Sequence, residues 1–210
     1  MRFRIGEAAV LISSFLLITL SPRVLQAQTN VPAGTITTDT TWDLAGSPFI
    51  LSGSVQVAAN VTLTIAAGVM VKFSSLAPRL DVLGQLVADG TAQPITFTSF
   101  TDDANTAWGP IAFNAGASGL IKNAVLRFGG FKVGGVTPVP MVHIATGNSL
   151  VSVTNNTLTN SLTSAVLVTG AGTTPTISGN TISANSVGIS GNSSGPPREN
   201  AGQTAWAVAS

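Results

Sequence analysis

The sequence predicts an all-β protein that winds as a right-handed parallel β-helix solenoid after an exported leader. Three observations support this fold class. Short runs of alternating apolar and polar residues fill most of the chain, no stretch has a sustained helical period, and an asparagine-centred segment recurs in the second half. Charged residues make up only 8% of the chain, so Thr, Ser, Asn and Gly must supply the polar surface.

The first 27 residues are expected to be a signal peptide. Arg2 and Arg4 form a basic end, and an apolar run follows over 8–20. This run is shorter than the ~20 residues that span a bilayer. Ala27 offers a small residue for cleavage, so the mature chain is expected to begin near Gln28. The protein is therefore predicted to be secreted or held at the cell surface.

Removal of this segment changes the charge balance. The loss of three arginines and one glutamate turns the formal net charge from +1 to −1. No basic stripe remains, so nucleic-acid binding has no electrostatic support. No later apolar run is long enough to span a membrane. The chain contains no cysteine, which excludes disulfides and Cys-ligated metals.

The mature chain divides into three parts by composition. Residues 28–48 are rich in Thr, Pro and Gly and are expected to form an N-terminal cap segment. Residues 49–192 carry the strand pattern and are expected to form the β-helix. The pattern stops after Asn192, and 193–210 is expected to be an irregular C-terminal tail. Because a solenoid normally ends in a cap, we expect the chain to be truncated at its C-terminus.

Strand alternation is clearest in the first half of the proposed β-helix. The runs 55–57, 61–65 and 69–73 place apolar side chains at every second position, and Gly, Asn or Ala separates one run from the next. An antiparallel sandwich is the other fold with short strands and small turns. It favours tight Asn-Gly or Asp-Gly turns, and Asp89-Gly90 is the single dipeptide of that kind.

A recurrent asparagine favours stacked coils over a sandwich. Asn123, Asn156 and Asn180 each follow an aliphatic residue and precede another, with spacings of 33 and 24 residues. Repeats of this length are typical of solenoids. Asparagine at a bend tolerates left-handed backbone geometry and can bond to the next coil through its side-chain amide. The longer spacing contains 129–140, which is predicted to be a loop inserted into one coil.

Several segments resemble the right-handed parallel β-helix repeat proteins of the pectate-lyase-like superfamily, in particular exported bacterial members of unassigned activity. The likeness rests on 61–73, 90–99, 108–113 and the asparagine-centred repeats, and it spans roughly 49–192. Pectate lyases of this fold use a calcium-binding acidic cluster and a basic residue, and the related polygalacturonases use several Asp and a His. Neither motif set is present here, so the resemblance implies the architecture and no specific reaction.

The candidate catalytic residues are few. Asp102 and Asp103 are adjacent acidic residues and are interpreted as a solvated turn. The alternative is a calcium site, or one carboxylate of a glycan-cleaving pair. Arg127 and Lys132 are read as surface charges, with a lyase base as the alternative. His143 is the single histidine and lacks the neighbours needed for a triad or a metal site. No catalytic residue, metal or cofactor is therefore predicted.

Two further patterns bear on ligand binding. Trp42 and Trp108 could stack on sugar rings, although Trp108 is expected to pack at a coil edge. Thr-x-Thr pairs at 62/64 and 96/98 are too few to form the regular ranks of an ice-binding face.

The sequence favours an exported, non-catalytic β-helix that serves as a cell-surface, adhesive or glycan-binding module. Its expected partner is an extracellular polysaccharide or a cell-surface glycan. The alternative is a polysaccharide lyase or glycoside hydrolase whose site is incomplete in this chain, or is built from Asp102, Asp103 and Arg127. The pattern leaves the oligomeric state open.

Overall fold

The computed structural model describes residues 28–74, 78–133, 137–145, 147 and 150–192. The signal peptide predicted for 1–27, its cleavage after Ala27 and the tail predicted for 193–210 lie outside the described residues.

Short strands, numbered here in chain order, make up most of the described chain. The first eleven are β1 Thr29–Val31, β2 Gly34–Ile36, β3 Thr40–Trp42, β4 Phe49–Leu51, β5 Val55–Val57, β6 Thr62–Ile65, β7 Met70–Phe73, β8 Leu80–Val82, β9 Gln85–Asp89, β10 Ile95–Ser99 and β11 Ile111–Phe113. The next eleven are β12 Ser118–Lys122, β13 Ala124–Arg127, β14 Phe131–Val133, β15 Thr137–Val139, β16 Val142–Ile144, β17 Val151–Thr154, β18 Thr157–Thr159, β19 Ser164–Thr169, β20 Thr176–Ser178, β21 Thr181–Ser183 and β22 Val187–Asn192. Single 3-10 turns occur at Leu44–Gly46 and Ala104–Thr106.

Most of the strands belong to three sheets in which every pairing is parallel. Sheet A contains β1, β4, β7, β10, β13, β18 and β21; sheet B contains β2, β5, β8, β11, β16, β19 and β22; sheet C contains β3, β6, β9, β12, β17 and β20. The chain passes through A, B and C in that order, which we call one circuit, and then repeats it. The all-β, parallel architecture predicted from the sequence is thus confirmed for the described residues.

One circuit carries an insertion between its strands in sheets A and B. Strands β14 and β15 form an antiparallel hairpin in which Phe131 pairs with Val139. This hairpin lies within 129–140, where the sequence predicted an inserted loop. It lengthens its circuit without disturbing the parallel pairing of β13 with β18.

The segment predicted as an N-terminal cap is itself a circuit of the sheets. Strands β1, β2 and β3 all lie within 28–48 and pair in parallel with β4, β5 and β6. Trp42 at the end of β3 stacks on Phe49 with ring centroids 4.9 Å apart. These strands are hard to recognise in the sequence of 28–48. The apolar residues that face inward occur singly, with outward-facing Thr and Gly between them.

The interior is built from stacked aliphatic and aromatic side chains. In sheet A, Phe49 pairs with Val71 and Leu51 pairs with Phe73, and all four side chains are buried. Sheet B repeats this with Val57 against Val82. Successive strands lie about 4.8 Å apart, so each inward side chain packs against its equivalent in the next circuit. Apolar burial of this kind supplies the main favourable free energy of folding.

Candidate functional site

A groove of about 430 Å³ lies on the corner where the chain turns from sheet B into sheet C. We call it the corner groove. Its volume falls within the ~300–1,000 Å³ typical of small-molecule sites. It crosses three consecutive circuits, and its lining residues are uncharged: Ala59, Asn60, Val61, Thr62, Leu83, Gly84, Gln85, Ala115, Gly116 and Ser118.

Differences in corner length create the groove. The corners before β6 and before β12 have four residues each, 58–61 and 114–117, whereas the corner before β9 has only two, 83–84. Both long corners are closed turns, with Val61 N donating to Ala58 O at 3.2 Å and Ala117 N donating to Asn114 O at 2.9 Å. The two long turns therefore project on either side of a short corner, which becomes the floor.

The long turns have the same backbone geometry at their tips. Asn60 has a φ of 63° and Gly116 a φ of 83°. Both values lie in the left-handed region, which favours Gly and Asn. This explains why Asn and Gly occupy the two exposed rims of the groove.

The floor is closely packed and has no room for a side chain at Gly84. A Cβ at this position would lie 2.3 Å from both Ala58 O and Val61 O. Backbone hydrogen bonds fix the floor to both neighbouring circuits: Gln85 N donates to Val61 O at 2.8 Å, and Ser118 N donates to Gly84 O at 3.0 Å. The floor is therefore held rigidly in place before any ligand arrives.

The polar groups of the groove are hydroxyls and amides. Thr62 Oγ1 donates to Gln85 Oε1 of the neighbouring circuit at 3.3 Å. The amide nitrogen of the exposed Gln85 side chain has no hydrogen-bond partner among the described residues. Asn60 and Ser118 add further neutral donors and acceptors. These groups suit hydrogen bonding to a polar, uncharged ligand.

A single carboxylate lies beside the groove. Asp39 precedes β3, and its Oδ1 accepts a hydrogen bond from the backbone N of Thr62 at 2.8 Å. Asp39 is exposed, and within the described part of the chain no cation lies within ion-pair distance of it. Its charge therefore acts on this rim of the groove without a neutralising partner.

The structure separates the roles of Asp102 and Asp103. Asp102 accepts two hydrogen bonds from the guanidinium of Arg127, at 2.6 and 2.7 Å, and a third from the hydroxyl of Thr98. The hydrogen bond from Arg127 lowers the pKa of Asp102 from its ordinary value, partly opposed by burial. The sequence grouped these two residues only as part of the alternative enzyme site and did not indicate an ion pair, because its members are 25 residues apart and belong to neighbouring circuits.

Asp103 caps the 3-10 turn at Ala104–Thr106. Its Oδ1 accepts from Asn105 N and from Thr101 Oγ1, each at 2.8 Å. The hydrogen bond from Thr101 lowers the pKa of Asp103. The two carboxylates thus serve a surface ion pair and a turn. In the described ranges no cluster of three or more His, Asp or Glu could hold a metal ion.

The remaining charged candidates lie apart from one another. Lys132 is in β14 of the inserted hairpin, and its side chain lies outside the described residues. His143 is half-buried on sheet B, and its Nε2 lies 3.0 Å from Thr169 Oγ1. Burial lowers the pKa of His143. Among the residues that the structure describes, none of the carboxylates pairs with this ring.

The two tryptophans proposed as sugar platforms are both in the core. Trp108 is 0% exposed, stacks on Phe73 at a centroid distance of 4.2 Å, and donates from Nε1 to Arg127 O at 3.0 Å. Trp42 is 5% exposed. Neither ring can stack on a sugar in this structure, and Trp108, which was expected at a coil edge, lies in the core.

Two of the three repeated asparagines, Asn156 and Asn180, form a buried ladder at the corner between sheets C and A. Asn156 Oδ1 accepts from Ala124 N at 2.9 Å, and Asn156 Nδ2 donates to Ile121 O at 2.9 Å. One circuit later, Asn180 repeats this pattern: its Oδ1 accepts from Asn156 N at 2.9 Å, and its Nδ2 donates to Val153 O at 2.8 Å.

Asn123 occupies a different position from the other two repeat asparagines. It has a φ of 50° and matches Asn155 and Gly179, which have φ values of 55° and 66°. Its side chain donates to Thr91 Oγ1 at 3.0 Å. The residue in register with Asn156 is therefore Ala124, so the asparagines that looked equivalent in sequence divide into a bend position and a ladder position.

Comparison of the chain with protein-family models, curated proteins and solved structures gave no match. The structure contains no helix, within the residues it describes, that is long and apolar enough to cross a bilayer.

Proposed function

We propose that this protein is an exported, non-catalytic, right-handed parallel β-helix of the pectate-lyase-like type that serves as a glycan-binding module outside the cell. The corner groove is the observation that carries the proposal. It is an open cavity of about 430 Å³ with a hydrogen-bonded floor, and the polar groups of its lining are all neutral. Hydroxyls and amides are suited to bind sugar hydroxyls, which are themselves both donors and acceptors.

The repeated circuit through sheets A, B and C supports the β-helix assignment. Each circuit returns the chain to a position one strand further along all three sheets. Right-handed crossovers are the rule where one parallel strand connects to another. The asparagine ladder and the inward aliphatic stacks are what such a coil needs at its corners and in its narrow core. Export rests on the signal-peptide pattern of 1–27.

The proposal is tested by applying the secreted protein to a glycan array and to whole cells that display surface polysaccharide. Saturable binding to at least one glycan is expected. Absence of binding on both supports would refute the function and leave the scaffold without an assigned ligand. Intact-mass analysis of the same material tests export, with Gln28 as the expected first residue.

The alternative is a carbohydrate-active enzyme, and it makes a different prediction. A lyase would generate unsaturated products from polyuronides, detectable by their ultraviolet absorbance with and without calcium. The residues available to it are Asp102, Asp103 and Arg127, which here are bound to one another or to a turn. Activity that Asp103→Ala abolishes would establish the enzyme and displace the binding module.

A further inference from the structure

We infer that the ligand of the corner groove is a neutral sugar chain and that Asp39 makes this site reject uronates. This inference deepens the proposed function and rests on it. It specifies the charge class of the glycan and the place on the protein where the glycan binds. A glycan-binding function alone would determine neither.

The charges of the groove support a neutral ligand. None of its lining residues is charged. The ionisable group with a described contact to the lining is Asp39, whose carboxylate accepts a hydrogen bond from the backbone N of Thr62. A polyuronate carries one negative charge on each sugar, so it would meet a like charge at this rim that no described cation pairs with.

The described cations are engaged elsewhere. Arg127 pairs with Asp102 at 2.6 Å and Arg79 pairs with Asp81 at 2.8 Å. Lys122 lies 3.8 Å from Asp89, and Lys72 donates to Phe100 O at 3.1 Å. Recognition of a polyanion relies on Lys and Arg that are free to form charge-assisted bonds, and the lining of the groove contains neither.

The groove offers specific contacts to a neutral chain. Its three corners span two strand separations, or about 10 Å, along the direction in which the circuits stack. Gln85 at the centre presents a free amide nitrogen, Asn60 and Ser118 supply polar groups on the two sides, and Ala59 and Leu83 present apolar surface to the C–H faces of a sugar ring. A sugar chain lying along the groove would thus cross the strands.

Asp39→Asn isolates the charge. Asparagine keeps the Oδ1 that accepts from Thr62 N, so the rim retains its hydrogen bond while losing its charge. Gln85→Ala removes the central amide. Gln56→Ala is the matched control, because Gln56 lies on the outer face of sheet B, pairs in register with Asp81 and is not part of the groove lining.

The experiment measures binding by titration calorimetry at low ionic strength, with neutral hexasaccharides of glucose and of mannose and with hexagalacturonate as probes. Wild type is expected to bind at least one neutral probe and to bind hexagalacturonate at least tenfold more weakly. Gln85→Ala is expected to weaken neutral binding about tenfold, as for one lost hydrogen bond. Asp39→Asn is expected to raise hexagalacturonate affinity about fivefold, with neutral binding unchanged.

The outcomes separate the inference from the function. Equal or tighter binding of hexagalacturonate by wild type would overturn the neutral class while leaving a glycan-binding module. Neutral binding that Gln85→Ala and Gln56→Ala reduce equally, or not at all, would overturn the corner groove as the site. No binding of any glycan, on the array or in solution, would remove the proposed function itself.

Discussion

The side-chain amide of Asn156 donates to Oδ1 of Asn180 at 3.0 Å, and both side chains are buried. Each amide also bonds to the backbone of a neighbouring circuit. Two circuits are therefore joined at the corner between sheets C and A by groups that have no access to water. Buried polar groups of this kind are costly to leave unpaired.

Replacement of Asn156 by Ala is expected to destabilise the fold by about 3 kcal/mol. The variant leaves Ala124 N and Ile121 O without their partners, and each unpaired buried group costs ~1–3 kcal/mol. Urea unfolding followed by circular dichroism measures the change in the free energy of unfolding. Asn30→Ala is the control, since Asn30 is exposed in β1, and its effect is expected to stay within ~0.5 kcal/mol. Equal effects of the two variants would contradict the ladder.

Gly84→Ala tests the packing of the groove floor. The added Cβ would lie 2.3 Å from two carbonyl oxygens, so the backbone of the short corner must shift. We expect a loss of about 1–3 kcal/mol in thermal or urea unfolding, as for overpacked sites. Gly34→Ala is the matched control, because a Cβ there meets nothing within 4 Å. If Gly84→Ala costs no more stability than Gly34→Ala, the close approach of the backbone at Gly84 does not limit the size of the residue there.

The Asp102–Arg127 pair is expected to make stability depend on pH in the acid range. Because the pKa of Asp102 is lowered in the folded protein, its contribution is present above the unfolded pKa of about 4. That contribution is lost as the pH falls through the lowered folded value. Asp102→Asn should therefore reduce the free energy of unfolding at pH 7, by at most about 1 kcal/mol for so exposed a pair, and should have little effect near pH 2.

Urea titrations at a series of pH values test this dependence. Asp43→Asn serves as the comparison, because Asp43 accepts from Gly46 N at 3.1 Å and Asn keeps that acceptor. A difference between wild type and Asp102→Asn that does not change with pH would mean that the ion pair contributes no pH-dependent stability.

Trp108→Phe is expected to cost more than Trp42→Phe by about 1 kcal/mol. Both changes shrink a buried ring that stacks on a phenylalanine. Only Trp108 donates from its indole to a backbone carbonyl, that of Arg127 at 3.0 Å, and the shorter ring leaves this acceptor unpaired. Unfolding monitored by circular dichroism gives both values, and an equal cost would show that the indole hydrogen bond adds nothing.

The prediction of parallel, all-β structure succeeded because period-two alternation is local. Within 61–65 and within 69–73, each inward residue lies two positions from the next, and the strands β6 and β7 follow that pattern. The pattern is weaker in 28–48. The sequence predicted a cap there, whereas the segment forms a complete circuit of the three sheets. In this segment Val31 and Ile36 are only partly buried. The segment also contains few of the apolar residues spaced two positions apart by which strands are recognised.

The candidate groove was invisible to sequence reasoning. Its shape depends on a two-residue corner lying between two four-residue corners, and these lengths emerge only when the strand ends are known. Gly84, Gln85 and Asn60 look like ordinary turn residues when taken alone. Their common environment arises because β6, β9 and β12 stack in sheet C.

The aliphatic alternation and the low charge predicted β-structure from local pattern and composition, and the recurrent asparagines predicted stacked parallel strands from their spacings of 33 and 24 residues. The register between circuits required the tertiary structure. It placed Asn156 in register with Asn180 on one side and with Ala124, rather than Asn123, on the other, and it brought Asp102 to Arg127. Local patterns determine which face of a strand points inward. Because the circuits differ in length, those patterns do not determine which residues of neighbouring circuits lie in register.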